Sequence, residues 1–559
     1  MGHGPIGGGG PVVRKIFAEE VWARPEISPQ HLNGRDRPNP MTWNRLFRLS
    51  FPALISLLLI GCQISPGNAL AEEEERLETG GDLSKYHYLV REPYSVGLSH
   101  EGFIIGIEKS PKEKIGYEFP NIDVTRFREW DTRNDPQGGQ YIEARNAHFM
   151  RVTGDRKSVF VSHILAYGFD RQGTVRFDVC PLYSVYKANG FAGEPGHPGC
   201  PANGRTETSE TTDAKPYYED GWSALDRLYD AIKARLDQAR PAYTHILVAS
   251  MGWNNDQVES VRRYNALLGN IIAQARLEGT PEGQNFNPLV IGLTWPSVWG
   301  GDSFFNTINL ITHVVSYPNK ADDADEIGYT IANYLVNDIV YRLKSKYKLE
   351  IVLIGHSLGA RILSRAMFSA HLLKEGPNPT GDATDLFIGL QGAFSVRRFK
   401  KDHRLPFPMS LFRKGEGSPY LIYHKLNGRV VLTWSEADTA NPLAQWVTGA
   451  AHAGGKAGYE ESREMGDVFD HFVWDKNVHS KNDLLRQNIT EKVPATCGEL
   501  RKSKKVLMID ANKIVDDHND ILDSEMGRLI WKNIACFTYP EKSNLGFLWR
   551  AKDVLAAVG

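Results

Sequence analysis

The chain has few cysteines, little net charge and no long apolar run. Its five cysteines among 559 residues include no Cys-x-x-Cys pair, which excludes zinc-ribbon and thioredoxin-like sites. The formal net charge is −2 at pH 7, so no overall field favours a nucleic-acid partner. The apolar run at 49–60 is too short to span a bilayer, which takes about 20 apolar residues. What remains, 41% hydrophobic and 24% charged residues, is typical of a large globular enzyme.

The apolar run at 49–60 has the length of a signal-peptide core. It follows Met41 and two arginines, the order expected of a secretory leader. It ends in Leu-Ile-Gly-Cys, which resembles the lipobox of bacterial lipoproteins. That resemblance implies lipidation of Cys62 and attachment of the chain to a membrane.

Two interpretations of this leader are open. In the first, 1–40 form an unstructured extension, 41–62 the signal peptide with its lipobox, and 63–85, with four consecutive Glu, a tether. In the second, the signal peptide is cleaved after Ala71, at a small-x-small site. Both predict export to the bacterial cell envelope, facing the periplasm or the exterior, and the first adds a lipid anchor.

Export changes what the cysteines predict. Once Cys62 is set aside, four cysteines remain, an even number that suits disulfides in an oxidising compartment. Pairing of nearest neighbours gives Cys180–Cys200 and Cys497–Cys536, one of three possible connectivities.

The rest of the chain divides into two patterns. Residues 86–205 contain short strand-like segments separated by Gly, Pro and Asp, which predict a smaller β-rich N-terminal domain. Residues 215–540 alternate strand and helix patterns, which predict an α/β domain with a mainly parallel sheet and helices on both faces. Stretches near 395–425 and 442–503 interrupt this rhythm and are predicted to be insertions or lids.

A candidate nucleophile lies in the sequence Gly-His-Ser-Leu-Gly at 355–359. An apolar strand pattern at 350–354 precedes it, and a helical apolar pattern from Ile362 to Ala370 follows it. A serine at such a turn is crowded, and glycines two residues away on either side relieve the crowding. The helix N-terminus also offers N–H groups to a developing oxyanion. Ser357 is therefore the predicted nucleophile.

This turn resembles that of the α/β-hydrolase superfamily, which includes lipases and esterases, and the resemblance extends over roughly 215–540. The sequence Met-Gly-Trp-Asn after the first strand of this region is similar to the family's His-Gly-Trp-Asn oxyanion loop. Met251 replaces the histidine. The resemblance implies an oxyanion hole formed by the N–H of Leu358 and that of Gly252 or Trp253.

The acid and base of a serine hydrolase follow the nucleophile in the order acid, then histidine, in this superfamily. Asp438, in the turn after the predicted strand 429–434, is the predicted acid, with Glu436 as the alternative. His518, in the loop after the last predicted strand 506–509, is the predicted base. Its competitors His452, His471 and His479 lie in the predicted insertion instead.

Together these features predict an exported serine hydrolase that cleaves carboxylic esters of small molecules or lipids. No metal or cofactor is predicted, and the oligomeric state stays open. The same catalytic groups also serve amidases and peptidases. A non-catalytic envelope protein that uses the hydrolase fold for binding is the alternative from another class.

Overall fold

The computed structural model describes residues 97–109, 159–168, 178–184, 205–206, 215–252, 255, 257–295, 297, 317, 320–321, 323–370, 373, 383–400, 420, 426–441, 445, 450–474 and 497–539. The predicted extension, signal peptide and tether lie outside these residues, as do Cys62, Cys200, Trp253 and His479.

Within the described residues, eleven strands form one sheet. Their order across it is β10-β11-β9-β8-β7-β5-β6-β1-β2-β3-β4, and every pair from β10 to β1 is parallel. The strands are β1 (Gly102–Lys109), β2 (Val159–Gly168), β3 (Asp178–Ser184), β4 (Arg205–Thr206), β5 (His245–Ser250), β6 (Pro288–Thr294), β7 (Glu350–His356), β8 (Leu386–Leu390), β9 (Arg429–Trp434), β10 (Phe469–Val473) and β11 (Val506–Asp510).

Helices cover both faces of this sheet. They are α1 (Lys215–Gln238), α2 (Gln257–Leu277), α3 (Pro281–Asn285), α4 (Ile331–Tyr334), α5 (Tyr341–Tyr347), α6 (Leu358–Met367), α7 (Lys456–Glu464), α8 (Cys497–Lys502) and α9 (Ser524–Thr538).

Alternate residues of the central strands enter two separate hydrophobic cores, one on each face. On β5, Ile246 and Val248 join the core that α1 and α6 cover, and Leu247 and Ala249 join the core that α2 and α9 cover. Strands buried on both faces are apolar throughout, which is why the sequence pattern located them. The predicted α/β class, mainly parallel with helices on both faces, is confirmed.

The described strands of 86–205 extend the same sheet as the α/β region. β1 pairs parallel with β6, from Gly102 opposite Val290 to Gly106 opposite Thr294, and β2 and β3 continue the same sheet in antiparallel pairing. The separate N-terminal domain stays a prediction, and the described strands of 86–205 belong to this one sheet. The physical reason is that β1 is apolar on both faces and is buried in the same two cores.

The helical segment that precedes β7 is interrupted. Residues 323–329 are helical, and α4 and α5 follow, separated by a π-helical turn at Leu335–Val340. The amides of Asn333 and Asn337 donate to the carbonyls of Ser369 and Ala366, each over 2.8 Å. These bonds hold the irregular helix against the end of α6.

The predicted insertion at 442–503 contributes regular structure to the sheet. It contains α7 and β10, and β10 pairs parallel with β11 at the edge of the sheet. A disulfide joins Cys497 of α8 to Cys536 of α9, as in the nearest-neighbour pairing. The backbone of Cys180 lies in β3, and its predicted partner lies outside the described residues.

A buried ionic cluster lies beneath α6. The Asp325 carboxylate accepts hydrogen bonds from Arg361, Arg365 and Arg398, over 2.7 to 3.3 Å. All four side chains are at most 2% exposed. Burial alone would raise the pKa of Asp325, but the three guanidinium groups outweigh it and hold the pKa well below its usual value.

In the described part of the chain, the helices are all too short or too polar to be candidates for crossing a bilayer.

Candidate active site

The turn after β7 holds Ser357 in a strained conformation. Its φ of 53° and ψ of −121° are rare for a residue with a side chain. A Cβ at Gly355 would lie 2.4 Å from Cα of Ala360, and one at Gly359 would lie 2.1 Å from the carbonyl oxygen of Ser250. Both flanking glycines are therefore required by close approach of the backbone, which is the reason given for them from the sequence.

The backbone of Ser357 is anchored to the end of β8. Its N–H donates to the carbonyl of Leu390, and its own carbonyl accepts from the N–H of Ala393, each over 3.0 Å. Between these two, Gln391 has a φ of 42° and donates its N–H to Oγ1 of Thr433. The strained serine is thus fixed by a second strained turn in the neighbouring strand.

Gly252 packs directly against Ser357, the predicted nucleophile. A Cβ at this position would lie 2.5 Å from the Cβ and 3.1 Å from the Oγ of Ser357. The Asn255 side chain donates to the Gly252 carbonyl over 3.0 Å and so fixes this loop. Leu358 begins α6, where first-turn N–H groups have no acceptor within the helix. Gly252 and Leu358, the two predicted oxyanion donors within the described residues, therefore both adjoin Ser357, and Trp253 lies outside the described residues.

Met251, where the similar hydrolase loop has histidine, is buried directly after β5. Its carbonyl accepts the indole N–H of Trp295 over 2.9 Å. The loop is thus held by backbone contacts that do not depend on the side chain at 251.

The predicted acid and base form a hydrogen-bonded pair. Oδ2 of Asp438 lies 2.9 Å from Nδ1 of His518. The same oxygen accepts from the Asn441 amide over 2.6 Å, and Oδ1 accepts the N–H groups of Ala440 and Asn441, each over 3.0 Å. Burial raises the pKa of Asp438, but the neighbouring His518 and these hydrogen bonds outweigh it, so the pKa is lower than usual. Asp438 is therefore held as a carboxylate.

The alternative acid, Glu436, points away from this pair. Its side chain is 65% exposed and accepts from the Lys456 ammonium over 2.6 Å. Its position gives it no contact with His518 among the described residues.

His518 reaches the nucleophile turn through the residue before the serine. Nε2 of His356 donates to the His518 carbonyl over 2.8 Å, and the two imidazole rings are 4.8 Å apart. Among the described contacts, no hydrogen bond joins His518 to Oγ of Ser357. Such bonds are often long in the absence of substrate and shorten in the complex.

Sequence reasoning missed a polar network behind the acid. The side-chain oxygen Oδ1 of Asn441 lies 3.1 Å from Nδ1 of His452, and the Tyr317 hydroxyl lies 3.5 Å from the same nitrogen. His452, considered as a competing base, is thus connected to Asp438 through Asn441. A cavity of ≈ 300 Å³ borders both Asn441 and His452. The one signal in the sequence is that Asn441 follows Asp438 by three residues, which could have indicated the contact between these two side chains.

The other competing histidine within the described residues, His471, lies in the edge strand β10. Its Nε2 is 2.8 Å from the Ser462 hydroxyl, and burial lowers its pKa to about 4. In the part of the chain that the structure describes, no group of three or more His, Cys, Asp or Glu side chains is arranged to hold a metal ion.

Comparison with solved structures finds proteins of low similarity. The protein TT1662 from Thermus thermophilus is 12% identical, with a TM-score of 0.25, over 54% of this chain and 91% of its own. An extracellular α/β-hydrolase from a Paenibacillus species is 12% identical, with a TM-score of 0.20, over 52% and 99%. A lipase-esterase related protein from Clostridium acetobutylicum is 13% identical, with a TM-score of 0.19, over 53% and 95%.

No family model and no curated protein matches the sequence. At these identities and TM-scores the structural likenesses support no functional conclusion. The proposed function therefore depends on the geometry of the site.

Proposed function

We propose that the protein is a serine hydrolase that cleaves carboxylic esters through an acyl-enzyme on Ser357. The observation that supports this most is the hydrogen bond between the buried Asp438 and the half-buried His518, 2.9 Å long. His518 in turn contacts His356, the residue before a serine strained at a strand-to-helix turn. Strain in a backbone that is otherwise regular is characteristic of functional sites.

In the proposed reaction, His518 takes the hydroxyl proton of Ser357 as Oγ attacks the acyl carbonyl. Asp438 holds the imidazole through Nδ1 and stabilises the imidazolium that forms. The imidazolium then returns the proton to the departing alkoxide. Water, deprotonated by the same histidine, hydrolyses the acyl-enzyme and regenerates the serine.

The oxyanion of each tetrahedral intermediate is assigned to the backbone N–H of Leu358 and that of Gly252 or Trp253. The close approach of Gly252 to Ser357 supports this assignment, because a donor has to lie within hydrogen-bonding distance of the reacting carbonyl. Backbone donors at a helix N-terminus need no reorganisation as charge develops.

We also propose that the enzyme is exported and anchored to a membrane through a lipid on Cys62, with small-molecule or lipid esters as substrates. The Cys497–Cys536 disulfide supports an oxidising compartment. The test is metabolic labelling with a palmitate analogue in a bacterial host. The wild type should be labelled and sediment with membranes, and Cys62→Ser should be neither labelled nor membrane-bound. Cleavage after Ala71 would instead leave both proteins unlabelled.

The catalytic proposal is tested with a fluorophosphonate probe, which reacts with activated serines. We expect the wild type to be labelled and Ser357→Ala to be unlabelled. Equal labelling of both, or none of the folded wild type, would favour the non-catalytic binding protein. A panel of matched ester and amide substrates then separates the remaining classes, because faster amide turnover would indicate an amidase or peptidase.

A further inference from the structure

His356 contacts His518, the predicted base. It is the last residue of β7, directly before the nucleophile, and its Nε2 lies 2.8 Å from the carbonyl oxygen of His518. The two rings also pack against each other, with centroids 4.8 Å apart and planes inclined by 43°. These residues are 162 positions apart in the sequence, so the contact fixes two distant segments relative to each other.

The direction of this hydrogen bond follows from its acceptor. A carbonyl oxygen can only accept, so Nε2 of His356 carries the hydrogen. Burial first, and then the neighbouring His518, lower the pKa of His356 to about 3, so the ring is neutral at physiological pH. Its other nitrogen, Nδ1, is buried and has no hydrogen-bond partner in the described part of the structure. The ring therefore serves as a donor with a fixed tautomer.

Resting on the proposed function, we infer that His356 is a positioning residue, which holds the backbone of the base His518 in register with the nucleophile Ser357. Asp438 fixes the imidazole of His518 through Nδ1, and His356 fixes the same residue through its carbonyl. Two anchors on different atoms restrict both the place and the orientation of the ring. One anchor alone would leave the ring free to pivot about the Asp438 carboxylate.

Side chains of other elements hold the ends of the loop that carries His518. The Ser435 hydroxyl donates to the Val515 carbonyl over 3.1 Å, and the Asn270 amide donates to the Leu522 carbonyl over 2.5 Å. The loop leaves β11 and reaches α9 through short-range turns, such as the bonds from Ile514 N–H to Ala511 O and from Asp520 N–H to Asp517 O. These bonds shape the loop but do not tie it to the nucleophile. The His356 contact does, because its own residue is covalently joined to Ser357.

Neutrality of His356 also suits the proposed reaction. His518 becomes an imidazolium when it accepts the serine proton, and a second charge 4.8 Å away would oppose that step. A buried neutral donor holds the base without adding charge beside it.

The structure provides a matched control in His245. This histidine is also buried, its pKa is also lowered to about 3 by burial, and its Nε2 lies 2.8 Å from the hydroxyl of Thr538 on another element. It stands at the first residue of β5, whereas the catalytic turn follows the last residue of β7. Replacing it removes a similar hydrogen bond without changing the site.

The test compares steady-state kinetics of His356→Leu, His356→Gln and His245→Leu on an ester found with the substrate panel. We expect His356→Leu to lower kcat about 10²-fold, the effect of a displacement near 1 Å, with KM changed less than about threefold. His356→Gln places an amide donor near the carbonyl and should recover kcat to within about tenfold of the wild type. His245→Leu should lower the melting temperature and leave kcat unchanged. If His356→Leu does not fold, His356→Asn replaces it in the comparison. The shorter Asn side chain does not bring its amide to the position of Nε2, so we expect the same loss of kcat as for His356→Leu.

Equal kcat values for the His356→Leu and His245→Leu proteins would overturn the inference, as would a His356→Gln protein as slow as His356→Leu.

A second measurement, by proton NMR, distinguishes a failure of this inference from a failure of the proposed function. The Nδ1–H proton in the Asp438–His518 bond should give a downfield proton resonance in the wild type and in His245→Leu. It should be lost or broadened in His356→Leu. An unlabelled wild type that shows this pattern refutes the hydrolase proposal alone, and a resonance that is unchanged in His356→Leu refutes the positioning role.

Discussion

Replacing Gly252 by alanine should disable the site without unfolding the protein. The new Cβ would lie 2.5 Å from Cβ of Ser357, 3.0 Å from the His356 carbonyl oxygen and 3.1 Å from Oγ of Ser357. Carbon atoms in contact are normally separated by about 3.5 to 4.0 Å, so the loop and the serine must move apart by about 1 Å. A displacement of that size costs about 10²-fold in rate. This corresponds to about 2.7 kcal/mol in the activation free energy.

The assay is kcat on an activated ester, with the rate of fluorophosphonate labelling as an independent measure. Gly269→Ala is the matched control, because a Cβ at Gly269 on α2 would meet nothing within 4 Å. It should keep full activity, and alanine in a helix interior should stabilise the fold by about 1 kcal/mol. If Gly252→Ala retains kcat within about threefold of Gly269→Ala, the oxyanion loop does not lie where the proposed mechanism needs it.

Three further predictions follow from the same contacts. Asp438→Asn should reduce kcat by about 10⁴-fold, as loss of the orienting carboxylate does in serine hydrolases, whereas Glu436→Gln should change it less than about twofold; similar losses in both would contradict the assignment of the acid. Burial lowers the pKa of His245 and that of His356 from 6.5 to about 3, so the unfolded state binds protons that the folded state does not, and stability present above pH 6.5 is lost as the pH falls. At pH 5 each histidine should cost about 2 kcal/mol relative to neutral pH, and urea unfolding with equal free energies at pH 7 and pH 5 would refute this. Cys497→Ser opens a disulfide of sequence separation 39, which should lower the free energy of unfolding by about 4 kcal/mol in the chain-entropy model, as measured by the same urea titration with the reduced wild type as control.

The strand-to-helix turn at Ser357 could be predicted from the sequence because its signals are local. The glycines at 355 and 359, the apolar strand and the amphipathic helix all lie within about twenty residues of Ser357. Asp438 and His518 could be chosen because parallel strands bring their carboxyl ends to one edge of the sheet. Each follows a strand that the apolar pattern had located to within a residue or two.

The remaining contacts depend on tertiary packing, which local patterns do not encode. In the sequence, His356 is only the variable residue between Gly355 and Ser357 of the motif. Its hydrogen-bond partner, the His518 carbonyl, comes close only because the loop after β11 packs against the turn. His452 reads as part of an insertion, yet its segment pairs with Ser395 and so comes to lie beside Asn441. The strands of 86–205 were located as strands, but their alternation could not reveal that β1 pairs with β6.

The buried ionic cluster around Asp325 restricts which substitutions this protein can accept during evolution. One carboxylate accepts hydrogen bonds from guanidinium groups on α6 and on the segment after β8. Loss of the carboxylate alone would deprive three buried cations of their shared counter-ion, and breaking a buried ion pair typically costs about 3 to 5 kcal/mol. Substitutions at Asp325, Arg361, Arg365 and Arg398 should therefore be strongly epistatic, tolerated only as a coordinated set. A mutant library that varies these four positions jointly would recover active variants that single-site scanning would discard.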